Sequence, residues 1–377
     1  MLRNHRSDTV RRDRKTQKKN RSFKNKGLLF AIVWMSLCLT GCGDHELENR
    51  EFPLAIGVES AKEGCLAAFS FPILSDSSGD NGTSGTASTA LEKGRDFFTI
   101  QKNYEKNSSK SIDFSHNKVL ILGEDFIKDE EQLQNFIDYA RTQELMARNT
   151  YLFVTDLSME ELFDMGGKLE KPFGTYLEEL LESDEDYGNK QIMTLGKLYD
   201  ERLNQMETLF IPVLGAGEDN KPMVTASWVL KNGEPLKKVS RNTAMESLLI
   251  QGKLKGASFQ DGDGNEWRLT HIKPSYELKK DLDHPGVTVE ITCKAELKNG
   301  RVADWREEED LEIKLGEEIS SRLTETAKKG LKKGFDLTNS YKKLGNHYRQ
   351  AYRYYEERGG YEEAVHIEIL VKPSLVN

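Results

Sequence analysis

"KVLILGEDFIKDEEQLQNFIDYARTQELMARNTYLFVT", Lys118–Thr155, decides the fold class. It opens on Lys118–Gly123, whose apolar run has no polar alternation and predicts a buried strand. Phe126, Leu133, Phe136, Ile137 and Ala140 then fall on one face of a helix expected over Glu124–Met146. Thr150–Thr155 is a second apolar strand. Strand, amphipathic helix and strand in one stretch predict a mixed α/β domain.

Working outward toward the N-terminus, Leu91–Lys106 is expected to be helical. Before it, Ser75–Thr89 is rich in Ser, Gly, Thr and Asp without apolar periodicity, and reads as a flexible loop. Its glycines are too irregular for a phosphate loop, and no Gly-Lys-Ser/Thr follows. Phe52–Glu59 and Cys65–Leu74 read as two strands split by a turn.

Toward the C-terminus, Ser158 and Glu161 form a capping-box pattern. Two helices follow, near Gly174–Glu182 and Thr194–Met206, and then a strand at Thr208–Leu214. Gly215–Pro222 reads as a linker. Met223–Leu230 and Glu234–Val239 flank Asn232-Gly233, a hairpin signal, and a helix is expected over Ser240–Gly252. Asp261–Asn265 invites a calcium-loop reading that fails, because the required Gly and Glu positions hold Glu266 and Ile272. The segment is therefore expected to be a turn between strands.

In Val287–Leu297, Val287, Val289, Ile291 and Cys293 alternate with polar residues, the pattern of a half-buried antiparallel strand. Leu311, Leu315, Ile319, Leu323, Ala327 and Leu331 recur every four residues along a helix expected over Glu307–Lys333. A further helical stretch carries Leu344, Tyr348, Tyr352 and Tyr355, and Ala364–Lys372 closes the chain as a strand. The fold class expected is α+β, in three consecutive domains: 42–214, a mixed α/β domain; 215–260, a middle unit; and 261–377, with a long helix near its end.

Composition narrows function. Charged residues are 31% and the net charge is −8, but residues 1–41 carry +9 and the rest −17. An acidic body lacks the clustered cations that phosphate contacts need, so nucleic acid is not expected as a partner. The basic run Arg11–Lys26 precedes the apolar stretch Leu28–Leu39, which is too short to span a bilayer. Together they form an export signal over residues 1–41. It ends on "LTGC", Leu39–Cys42, which matches the lipobox of bacterial lipoproteins. Cys42 is expected to be the lipid-attachment residue and the first residue of the mature protein, carrying acyl chains of the palmitate kind. Two or three such chains suffice for stable anchoring.

No catalytic motif stands out: HExxH, G-x-S-x-G, GxGxxG and Cys/His clusters are all absent. No catalytic residue, cofactor or metal ligand is assigned. His116, at the entry of the buried strand, reads as a hydrogen-bonded structural residue before it reads as a base. Glu160/Glu161 and Asp184–Asp186 read as solvated charges. Cys65 and Cys293 read as small buried side chains, with a single bridge between them as the lesser alternative. The tyrosines of Tyr348–Tyr361 read first as helix-to-sheet packing and second as a docking surface.

The order of segments resembles the Ger(x)C family of spore-germination lipoproteins, the C subunits of nutrient germinant receptors. The resemblance rests on the lipobox, "LAIGVE", "FSHNKVLILGEDFI" (Phe114–Ile127), "DYARTQELMARNTYLFVT" (Asp138–Thr155), "TLFIPVL", "VTASWVLKNGEPLKKVS" (Val224–Ser240) and "KKGFDLTNSYKKLG" (Lys332–Gly345). His116, Arg141, Arg148 and Asp336 sit at matching places. Gly43-Asp44 replaces the usual Trp-Asp after the lipidated cysteine, and tyrosines replace a tryptophan near the end. The resemblance implies no enzymatic activity and a lipid anchor on the outer face of the spore's inner membrane. It also implies two integral membrane partners, the A and B subunits. A lipid-anchored solute-binding protein is the alternative. It would be expected to show two doubly wound lobes.

Overall fold

The computed structural model describes residues 49–73, 87–142, 146–183, 193–204, 207–217, 219–298 and 305–376. Cys42 and the rest of the export signal, most of the Ser75–Thr89 loop, and Asp184–Asp186 lie outside these residues.

The first sheet has eight strands: β1 (Ala55–Ala61), β2 (Gly64–Pro72), β3 (Ala87–Gly94), β4 (Val119–Gly123), β5 (Tyr151–Thr155), β6 (Thr208–Ala216), β7 (Pro222–Lys231) and β8 (Glu234–Ser240). Their spatial order is β8-β7-β6-β5-β4-β1-β2-β3. The four central strands, β1, β4, β5 and β6, are mutually parallel, and antiparallel hairpins extend the sheet on both sides. Parallel strands require crossovers, and those crossovers put helices on both faces. On one face lie α1 (Phe97–Asn107), α2 (Glu124–Lys128), α3 (Glu130–Thr142) and α6 (Leu195–Asn204). On the other lie α4 (Met159–Gly167) and α5 (Phe173–Ser183). Val119–Gly123 is therefore buried throughout, as its unbroken apolar run predicts. Gly57 of β1 lets α4 approach closely, since a side chain there would collide with Met159 and Phe163.

The second sheet has four strands, β9 (Gly256–Gln260), β10 (Glu266–Lys279), β11 (Gly286–Leu297) and β12 (His366–Val376), in that order. One face packs on α7 (Arg241–Ile250), on α8 (Trp305–Leu331) and on the helices α9 (Ser340–His347), α10 (Arg349–Arg358) and α11 (Tyr361–Ala364). Leu315, Ile319, Leu323 and Ala327 of α8 are buried in this core, as their four-residue spacing predicts. Phe210, Val229 and Val239 of the first sheet join the same core. The α+β class is thus found, with two mixed sheets, the first parallel only at its centre.

Several elements differ from the sequence reading. Leu91–Gly94 belongs to β3, and the helix starts only at Phe97, where the Asp96 carboxylate accepts from the Thr99 amide at 2.8 Å. The pairing partner β2 claims the segment before that cap. The helix expected over Glu124–Met146 breaks at Asp129, which takes an extended conformation and caps Gln132. Gly215–Pro222 is not a free linker. Gly217 donates to the Lys221 carbonyl at 2.8 Å, and β6 pairs with β7 through Leu214↔Val224 and Gly215↔Met223. The first sheet therefore runs across residue 214 and ends at Ser240. Val287–Leu297 alternates as expected and is antiparallel to β10, but its other neighbour, β12, is parallel.

β12 is an edge strand, and α8 closes its edge. The amides of Ile369, Val371 and Leu375 donate to Thr324 Oγ1 (3.3 Å), Ser320 Oγ (2.7 Å) and Glu312 Oε1 (2.7 Å). Pro373, between the last two, has no N–H to satisfy. Gly316 completes the four-residue stripe, and a Cβ there would lie 2.7 Å from the Val371 carbonyl oxygen. A polar stripe thus runs along α8 beside its apolar one and does for the strand edge what a further strand would do.

Candidate functional site

The matched segment Phe335–Tyr341 forms a buried polar knot. Asp336 is 5% exposed. Its carboxyl oxygens accept from the Thr338 amide (2.9 Å), Thr338 Oγ1 (2.6 Å), Ser340 Oγ (2.8 Å) and the Tyr341 amide (2.9 Å). The turn this makes puts Asn339 in the left-handed region, at φ 55°, which Asn tolerates better than most side chains.

The knot reaches three other elements. The Thr208 amide of β6 donates to Asn339 Oδ1 at 2.8 Å, and Asn339 Nδ2 donates to Gln251 at 2.9 Å. Ser247 of α7 and Gln251 both donate to the Leu337 carbonyl. The Tyr276 hydroxyl of β10 meets the Thr338 carbonyl at 3.3 Å. Asp336 therefore holds together the end of the first sheet, α7 and the second sheet. The Thr338 and Ser340 hydroxyls both donate to Asp336, which suits structural rigidity.

Beside the knot, the Glu207 carboxylate bridges Lys253 and Lys342. Burial pulls the Lys253 ammonium down to about 8, with Glu207 opposing the shift. Glu207 moves below the ordinary carboxylate range, because its two lysine partners outweigh the burial that would raise it. Burial wins for the lysine and attraction wins for the glutamate, since one carboxylate serves two cations.

The tyrosines divide. Tyr355 and Tyr361 are buried, with Tyr355 donating to the Leu282 carbonyl at 2.6 Å and Tyr361 to Ser340 Oγ at 2.8 Å. Tyr341 stacks on Tyr352 and Tyr361, each at 4.9 Å. The packing reading holds for this part of the cluster. Tyr348 and Tyr354 lie half-buried, each beneath a cation: Lys280 over Tyr348 at 6.0 Å and Arg358 over Tyr354 at 4.5 Å.

The remaining singled-out residues are dispersed. His116 is exposed and meets Phe52 edge-on at 5.0 Å. Arg141 pairs with Asp138, and Arg148 pairs with Asp200 and lies over the Tyr199 ring. Cys65 and Cys293 are free and buried, and burial pushes each thiol up to about 11. Asp261 closes the Asp261–Asn265 turn by accepting from Asp263, Asn265 and the Trp267 indole. Among the described residues no group of three or more His, Cys, Asp or Glu is placed to hold a metal ion. No helix among them is long and apolar enough to cross a membrane.

One larger cleft lies over the first sheet. It encloses about 590 Å³ between the start of α1 and α3, with Phe97, Phe98, Phe136 and Tyr139 as walls and Gln132 and Asn135 among its polar groups. Sequence reasoning did not find it, because its two walls are 30 or more residues apart in the chain and neither carries a motif.

Comparison with known proteins follows the same outline. Residues 43–216 match the family model of the spore germination protein N-terminal domain. No curated protein matches the chain in sequence. In fold it is similar to the crystal structure of the GerBC protein, with a TM-score of 0.55 at 11% identity, over 85% of this chain and 97% of that one. Residues 43–216 thus carry the N-terminal domain of the spore germination protein family, and the fold along most of the chain is similar to that of GerBC.

Proposed function

We propose that this chain is the lipid-anchored, non-enzymatic C subunit of a nutrient germinant receptor. It would sit on the outer face of the spore's inner membrane beside two integral membrane subunits, A and B. The observation that carries the reading is the family domain, which begins at Gly43, directly after the lipobox cysteine. Cys42 is then the acylated first residue of the mature chain. The site chemistry supports binding over catalysis: the Thr338 and Ser340 hydroxyls are tied to Asp336, and both described thiols are buried and protonated at neutral pH. A solute-binding protein would need two doubly wound lobes, whereas the second sheet here is four-stranded, mixed and covered by helices on one face.

Cys42→Ala tests the anchor. Metabolic labelling with a radiolabelled fatty acid should disappear, and the protein should leave the membrane fraction. Continued labelling would sink the lipobox reading. Deletion of the gene tests the receptor role. Nutrient-triggered germination should fall while calcium-dipicolinate still germinates the spores, and an unchanged nutrient response in a strain without a second receptor would count against it.

A further inference from the structure

Among the arginines whose side chains are described, nearly all have a partner. Arg95, Arg141 and Arg148 pair with carboxylates, Arg202 bonds Gln134 and the Gly233 carbonyl, Arg322 pairs with Glu246, and Arg358 covers Tyr354. Arg50, Arg241 and Arg268 are also engaged. Arg349 and Arg353 are the exceptions: both are exposed, and neither makes a hydrogen bond, ion pair or ring contact among the described residues. They stand four residues apart on α10 and line one open cleft of about 440 Å³ with Leu282, Gln350, Tyr354 and Glu357.

Two like charges at this spacing repel each other and weaken the helix. A guanidinium also presents five donors in a planar fork suited to carboxylate or phosphate. An unpaired fork, doubled on one helix face of an acidic protein, is thus costly for the fold and suited to an external anion. The wall beside it is Tyr354, with Arg358 4.5 Å from its ring centroid, and Leu282 adds an apolar lining. Arginine and tyrosine with a small apolar lining are the side chains that concentrate binding energy in protein interfaces.

We propose that this cleft docks an acidic segment of a partner protein, with Asp or Glu side chains engaging Arg349 and Arg353. The inference rests on the receptor-subunit reading and names the surface that would meet a partner subunit. A carboxylate-bearing segment fits better than an anionic bilayer. Glu357 lines the cleft, and Glu356 and Asp283 are exposed nearby. A planar anionic surface would meet these as well, whereas a single side chain can enter between them.

The test uses the full-length, lipid-anchored chain in spores, with the integral membrane subunits co-purified from detergent extracts. Arg349→Glu/Arg353→Glu should lower their recovery by about tenfold or more, with unchanged melting and unchanged membrane attachment. Arg349→Lys/Arg353→Lys should lose less, since charge remains while the fork is gone. Equal recovery with the charge-reversed variant would overturn the docking surface alone. If the wild-type chain also recovers no membrane subunit, the receptor reading falls and the surface with it. Purified protein offered phosphatidylglycerol vesicles is the second arm. Vesicle binding beyond that of the anchor, lost in the charge-reversed variant while co-purification persists, would assign the cleft to lipid and overturn the proposal.

Discussion

The two sheets bury their strands in opposite ways. In the first, the central strands have helices on both faces, and β4 and β6 are buried along almost their whole length. In the second, β11 and β12 alternate strictly, with Val287, Val289 and Ile291 inward and Glu368, Leu370 and Lys372 outward. Two-sided burial makes every position of a central strand sensitive. One-sided burial moves the burden to a single face and to the strand edge, where α8 supplies the acceptors. The difference shows in the sequence as an unbroken apolar run against a period-two pattern.

The sharpest way to break this comparison is at the centre of the first sheet. Phe153→Ala should cost about 4 kcal/mol, since a fully buried aromatic leaves a cavity between the sheet and the α4/α5 layer. Its counterpart outside the second sheet, Leu370→Ser, should stay within about 0.5 kcal/mol. Urea titration measures both, and a comparable loss at Leu370 would mean that the outer face is covered. Next is the link between the sheets. Asp336→Ala strands four buried donors and should cost about 3 kcal/mol. Asp336→Asn should cost less, because its amide oxygen can still accept. A loss below ~1 kcal/mol for the alanine variant would show that the two sheets do not depend on the knot.

A smaller effect tests the edge. Ser320→Ala leaves the Val371 amide without its acceptor and should cost about 1–2 kcal/mol. It also exposes a strand edge, so sedimentation should show concentration-dependent self-association. Ser374→Ala, on the outer face of the same strand, should show neither. The smallest effect is in pH. The Lys253 proton is bound up to 10.5 in the unfolded chain but only to about 8 in the folded one. Stability from this group therefore rises with pH between those values and is lowest below them. Lys253→Met should flatten that rise in urea titrations at about pH 7 and about pH 10, and should stabilise the protein at the lower pH by about 1 kcal/mol. Glu207 keeps Lys342 as its partner in that variant.

Local signals in the sequence hold where local chemistry suffices. Ser158 accepts from the Glu161 amide at 3.2 Å and Ser240 from the Thr243 amide at 3.2 Å, as N-caps should. Asn232 and Gly233 take the positive φ angles of a tight hairpin turn, 57° and 76°. Where a segment's choice depended on a distant partner, the reading failed. Leu91–Gly94 has helix-forming residues but pairs with β2, and Gly215–Pro222 has loop composition but only turns a hairpin. Asp336 was singled out by resemblance, while its role appears only when Thr208, Ser247 and Tyr276 are brought to it. The cleft around Arg349 and Arg353 had no sequence signal, because an arginine's lack of partners is a property of its surroundings.

By itself, then, the sequence determined the α+β class, the apolar runs and stripes, the caps and turns, and the family of the N-terminal domain. Each of these depends on residues within a few positions of one another, or on their order along the chain. The tertiary structure alone decided the strand order across residue 214, the parallel seating of β12, the polar stripe of α8 against its edge, and which tyrosines turn inward. Those features depend on pairings between segments tens to hundreds of residues apart. Their free energy exists only once the backbone has brought both partners together.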